Sequence, residues 1–170
     1  MTKYFCSINE ITKYMKASSI LLLFLGLMSL TSSAQDANAL RKKQFNLGDG
    51  GVAVKGYDPV AYFRENKAVK GSKDLSVYYQ GVIYYFSSAA NKEEFKKSPD
   101  KYEPQYGGWC AYAMGAKGEK VSIDPETFKI IGGKLYLFYN RLFNNTLTSW
   151  NKDETNLKQK ADANWKNIFH

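Results

Sequence analysis

Two runs of β-branched and aromatic residues, 75–79 (Leu-Ser-Val-Tyr-Tyr) and 82–86 (Val-Ile-Tyr-Tyr-Phe), flank Gln80-Gly81. Strand-forming runs separated by two turn residues read as a β-hairpin. After them the period lengthens. Ser87 or Ser88 can cap a helix from Ala89 to Lys97 that turns Phe95 inward and leaves Lys92, Glu93, Glu94 and Lys96 on the outer face, and Ser98-Pro99 ends it. A second hairpin is expected from 128–131 and 134–139 around Gly132-Gly133, with a further strand at 121–123 and a short one at 52–54. Asp58-Pro59 offers a cap and a first-turn proline for a short helix. Beyond Asn140, read as a cap, Leu142, Phe143, Leu147, Trp150, Leu157, Ala161 and Trp165 supply the apolar faces of a helical region broken near Asn151. These elements predict an α+β fold, a small antiparallel sheet of hairpins with helices packed against it.

The first third of the chain has a different pattern. Lys13 and Lys16 precede the apolar run 20–30 (ILLLFLGLMSL), and Thr-Ser-Ser-Ala-Gln follows it. That order is a secretory signal peptide, and the run is shorter than the roughly 20 apolar residues a membrane span needs. The chain therefore divides into a signal peptide at 1–35, a flexible polar arm at 36–44 and a folded domain at 45–169. Met15-Lys16 offers a second start as good as Met1, and Cys6 precedes the apolar run and cannot be a lipidation cysteine. The expectation is a protein exported to the periplasm or the outside, soluble after cleavage, with no transmembrane segment in its mature chain.

Composition narrows the chemistry. Residues 1–35 hold Lys3, Lys13, Lys16 and Glu10, so without them the 24 basic and 16 acidic residues become 21 and 15, a net +6. The basic residues are scattered, which with export argues against a nucleic-acid partner. Of two cysteines only Cys110 remains, so the mature chain can form no internal disulfide. The sole histidine is His170, which removes His-based triads and His-rich metal cages.

The stretch Tyr79-Gln80-Gly81-Val82-Ile83-Tyr84-Tyr85-Phe86-Ser87-Ser88, followed by Phe95, Pro99 and Tyr102, resembles the core pattern of the YHS domain family. The segments at 56–63 (GYDPVAYF), 106–111 (YGGWCA) and 160–165 (KADANW) resemble its exported, stand-alone branch. The resemblance implies an accessory or binding role, and in relatives with paired cysteines a metal. The places of those cysteines match Ser87 and Ala90 here, which offer no soft ligand.

The remaining candidate site is Tyr106, Gly107, Gly108, Trp109, Cys110 and Tyr112, an aromatic and glycine-rich segment around the one thiol. Cys110 and Met114, four residues apart, could face one side of a helical turn and hold copper or another transition-metal ion. Aromatic-flanked cysteines are also commonly buried and inert. Tyr57, Tyr62, Tyr84, Tyr85 and Tyr102 are alternative ligand walls that core packing explains equally. Three functions stay open: a binding module for a metal ion or small ligand near Cys110, a cysteine-based redox protein or sensor, and a structural partner of an envelope complex. No catalytic residue is assigned, and no enzymatic activity is indicated.

Overall fold

A computed structural model describes residues 35–169. The chain divides into two units, Met1–Ala37, of which only 35–37 are described, and Asn38–His170, which holds the fold that follows. The signal-peptide reading falls outside the described residues.

In chain order the elements are α1 (residues 35–44), α2 (Ala61–Arg64), β1 (Ser72–Tyr79), β2 (Val82–Phe86), α3 (Ala89–Lys97), α4 (Pro99–Tyr102) and α5 (Ala111–Lys117). They continue with β3 (Asp124–Ile131), β4 (Lys134–Phe138), β5 (Asn140–Arg141), β6 (Asn144–Asn145), α6 (Thr146–Lys152) and α7 (Glu154–Phe169). The strands form antiparallel pairs, β1 with β2, β3 with β4 and β5 with β6, and the helices pack around them in an α+β arrangement. No helix among the described residues is long and apolar enough to cross a membrane.

The first hairpin follows from its turn. Tyr79 pairs with Val82, and Gln80 and Gly81 have φ of 44° and 88°. Positive φ at both central residues is the primed turn that matches strand twist. On β2, Val82, Tyr84 and Phe86 point into the core while Ile83 and Tyr85 sit at its edge, the two-residue alternation of a half-buried strand. Ser88 caps α3 by accepting a hydrogen bond from the Asn91 N–H at 3.2 Å, and Phe95 is the helix's one fully buried residue. Its ring meets Tyr84 at 4.9 Å, Phe86 at 5.1 Å and Tyr79 at 6.0 Å between centroids. Such pairs add about 0.5–1.5 kcal/mol each to what burial alone contributes.

Four expectations need correction. Residues 36–44 are a helix, docked by Arg41, whose guanidinium pairs with Glu103 and lies 4.4 Å from the Phe45 ring centre. Polar composition hid a helix that is held by one half-buried cation. The stretch 121–123 is not a strand, because its backbone serves the segment before α5 instead: Val121 O accepts from the Cys110 N–H at 2.9 Å. At 52–54 only single bridges form, Val52 with Ile83 and Ala53 with Leu47. Asn140 opens the β5–β6 hairpin, and the cap of α6 is Asn145, which accepts from the Leu147 N–H at 3.0 Å. Leu142 and Phe143 therefore sit at a hairpin tip and not on a helix face. They are 95% and 106% exposed.

Candidate functional site

The glycine-rich segment begins with a 3-10 turn at Gln105–Gly108 in which Tyr106 and Gly107 have φ of 57° and 59°. A left-handed tyrosine is unfavourable and needs strong tertiary fixing. Here the Tyr106 hydroxyl donates to Asp162 Oδ1 at 2.9 Å, and its ring packs on Tyr136 at 5.8 Å. Gly107 has no room for a side chain, since a Cβ would lie 2.7 Å from the Phe45 ring and 2.9 Å from Trp165. Its carbonyl accepts from the Asn46 N–H, and the Gly108 carbonyl from the Asn46 side chain, both at 2.9 Å. Trp109 Nε1 donates to Gln44 O at 2.6 Å. Tyr106 to Trp109 thus form a packed crossing between the 44–46 segment and α7.

Cys110 precedes α5, with 0% of its surface exposed, and joins β4 through a parallel bridge to Leu137. Its sulfur accepts from the Tyr139 N–H at 3.3 Å and lies 3.4 Å from Thr146 Oγ1. The Thr146 hydroxyl donates its only hydrogen to Tyr139 O at 2.8 Å. With that hydrogen committed, an S–H at Cys110 would be the donor toward Thr146, which closes a small ring of hydrogen bonds.

Beside this ring is a cavity of about 360 Å³, walled by Cys110, Tyr112, Ala113, Ala116, Val121 and Tyr139, with Asn144 and Thr146 at one edge and Lys117 and Glu119 at the exposed rim. Its size falls in the range of about 300–1,000 Å³ typical of small-ligand sites, and its lining is mostly apolar with few polar groups. Of the six residues singled out in sequence, Cys110 and Tyr112 line this space and Tyr106, Gly107, Gly108 and Trp109 do not. Asn144 and Thr146 carried no signal in sequence because the chain beyond Asn140 read as helix, and Tyr139 read as the end of a strand.

Cys110 and Met114 diverge. Cys110 belongs to the core layer with Tyr84, Phe86, Phe95 and Leu137, whereas Met114 is buried in the other layer with Tyr136, Phe138 and Trp150. The expected same-side pairing assumed that Cys110 was inside the helix, and it is instead the non-helical residue before it.

The positions that match the family's paired cysteines serve a different network. Asp58 is fully buried. Its Oδ1 accepts from the N–H groups of Val60 at 2.8 Å and Ala61 at 3.3 Å, starting α2. Its Oδ2 accepts from the Ser87 N–H at 2.8 Å, the Ser87 hydroxyl at 2.7 Å and the Asn91 amide at 2.7 Å. A buried carboxylate is tolerated when its lone pairs are all engaged. Ser87 is committed to that carboxylate and Ala90 is an exposed methyl, so this corner does not fit a thiolate-bound metal. Among the described residues no three His, Cys, Asp or Glu side chains converge to hold an ion.

Most other tyrosine hydroxyls already have partners. Tyr62 donates to Pro125 O at 2.9 Å, Tyr84 to Glu103 and Tyr102 to Glu94. Burial pushes the Tyr62, Tyr84 and Tyr106 phenols above the ordinary tyrosine range. Hydrogen bonds from Arg64 and then Tyr102 hold the Glu94 carboxyl below the usual carboxylate range.

No curated protein and no solved structure matches the chain. A family model described as YHS domain matches residues 60–106, from the start of α2 through the first hairpin, α3 and α4 to Tyr106. Every residue of the cavity wall lies after that segment. Residues 60–106 are thus similar to a YHS domain, the family that the hairpin and the capped helix resemble in sequence.

Proposed function

We propose that the protein is an exported, non-catalytic binding module that holds one small, largely apolar molecule in the cavity beside Cys110. The observation that carries this reading is the cavity itself: about 360 Å³, with apolar walls and two aromatic rings as its recognition groups. Export is supported by the charged, apolar and small-residue order of the first 35 residues. The absence of a histidine from residues 1–169 favours binding over catalysis. The YHS-like segment supplies the hairpin-and-helix core, and the chain after it supplies the site.

Titration with the neutral apolar dye N-phenyl-1-naphthylamine tests this. Wild-type protein should enhance its fluorescence saturably, with one dye per chain. Ala116→Phe, placed on an exposed position of the wall, should abolish the enhancement without lowering the melting temperature. Equal enhancement by the two proteins, or none by the wild type, contradicts the reading.

A second reading follows from the place of Cys110 in the lining of the cavity, where an opening of the wall would expose the thiol that is buried in the resting fold. A small oxidant entering there could convert the thiol to a sulfenic acid, which would make the cavity a sensor site. Mass spectrometry of peroxide-treated folded protein distinguishes the two readings by oxygen addition at Cys110.

A further inference from the structure

The leader and the folded chain meet in residues 31–39, Thr-Ser-Ser-Ala-Gln-Asp-Ala-Asn-Ala. Leader cleavage needs small side chains at the first and third positions before the cut. Ser32 and Ala34 satisfy this for a cut between Ala34 and Gln35, and Ala37 and Ala39 satisfy it for a cut before Leu40. A cut after Gln35 or after Ala37 would put the long glutamine side chain in one of the small positions.

The fold separates the two matches. The folded unit begins at Asn38. The backbone of Asn38 rests on the turn of the first hairpin, where a Cβ on Gly81 would lie 2.7 Å from the Asn38 carbonyl oxygen. Arg41, further along α1, donates from Nε to Gln80 O at 3.0 Å and pairs with Glu103. Cutting before Leu40 would discard Asn38 and leave too little of α1 to hold Arg41 in place. Cutting before Gln35 keeps the whole of α1, and residues 35, 36 and 37 are exposed and free of the packed surface. The cut then falls one residue before the boundary at 35 expected from the leader pattern, and glutamine becomes the first residue of the mature chain.

The charges of α1 make that terminus significant. Asp36 lies in its first turn and Arg41, Lys42 and Lys43 in its last, the order that complements a helix dipole. An α-ammonium on Gln35 would oppose this order, at the end where the first N–H groups already lack partners. Glutamine can remove the charge without a co-reactant. Its α-amino nitrogen attacks Cδ of its own side chain, an N–Cδ bond forms as the Cδ–Nε2 bond breaks, and the side-chain nitrogen leaves as ammonia with the displaced proton. No electrons are gained or lost, and a neutral lactam remains.

We propose that export processing cuts the Ala34–Gln35 bond and that Gln35 then closes to pyroglutamate. This removes the charge that opposes α1 and denies aminopeptidases the free amine from which they would trim the chain toward Arg41. The proposal rests on the export reading and is independent of what fills the cavity.

Mass spectrometry of the N-terminal peptide, from full chain expressed with its leader and isolated from the compartment that receives it, tests the proposal. The wild type should begin at residue 35 and be lighter by one ammonia than the open chain. Gln35→Ser should be cut at the same bond and keep its full mass. An aminopeptidase should shorten the folded variant and leave the folded wild type at its full length. A wild-type chain that begins at Gln35 with its amine intact, or one that begins at a later residue, overturns the proposal and leaves export standing. Equal trimming of the two proteins overturns the protective role. A chain that still carries residues 20–30 overturns the export reading together with the proposal.

Discussion

The sulfur of Cys110 lies 3.4 Å from the hydroxyl oxygen of Thr146, and that hydroxyl is already committed to the Tyr139 carbonyl. One small ring of hydrogen bonds thereby ties the start of α5 to the end of β4 and the start of α6. Cys110→Ala deletes the acceptor for the Tyr139 N–H and is expected to destabilise by about 1–3 kcal/mol. Cys110→Ser can still accept from Tyr139 and donate to Thr146, and should lose less than half as much. Urea unfolding of the three proteins checks the order.

Asp58 joins three elements at a buried point: the first turn of α2, the end of β2 and the first turn of α3. Asp58→Ala leaves the Ser87 N–H, the Ser87 hydroxyl and the Asn91 amide facing a small void. We expect a loss of about 3 kcal/mol or more. Asp58→Asn keeps the volume but turns an NH2 group toward one of the two sets of donors, so it should recover only part of the loss. The same denaturation series reads both.

Gly115 faces α7. A Cβ there would lie 3.0 Å from the Leu157 carbonyl carbon and closer still to its oxygen. In an isolated helix, alanine is better than glycine by about 1 kcal/mol. Here the contact is with backbone, which cannot swing aside, and overpacking of this kind costs about 1–3 kcal/mol. Gly115→Ala should therefore lower the melting temperature, and a rise would show that α5 and α7 have slack between them.

Alkaline pH should destabilise the fold through its tyrosines. Burial raises Tyr62, Tyr84 and Tyr106 above their ordinary value of 10.0. Below that pH both folded and unfolded chains keep these protons, and the stabilisation is fully present. Above it the unfolded chain loses protons that the folded chain retains, so stability falls as pH rises. Urea midpoints should be flat from neutrality to about pH 9 and drop beyond about pH 10. Phenolate absorbance should show a group of tyrosines that ionise only on unfolding.

Legibility in sequence followed the range of the interactions. The two main hairpins, the Ser88 cap and the inward Phe95 depend on residues close in the chain, and the runs around Gln80-Gly81 and Gly132-Gly133 revealed them. The α1 helix depends on Arg41 reaching Glu103, 62 residues away, which no local pattern signals. The site was half legible. Cys110 and Tyr112 stood out by type and neighbourhood, but the same composition at Tyr106 to Trp109 serves packing against Phe45 and Trp165. Asn144 and Thr146 were lost when Leu142 and Phe143, apolar and near a helix, read as part of its buried face. Their exposure is a departure from periodicity, and such departures are where function is to be sought.

The central claim is that the cavity beside Cys110 carries a small apolar molecule, and native mass spectrometry of protein isolated from its own compartment tests it most directly. The account predicts one bound small molecule per wild-type chain and none on Ala116→Phe prepared in the same way. Wild-type protein at the bare mass of its processed chain, or the same adduct on both proteins, would contradict it.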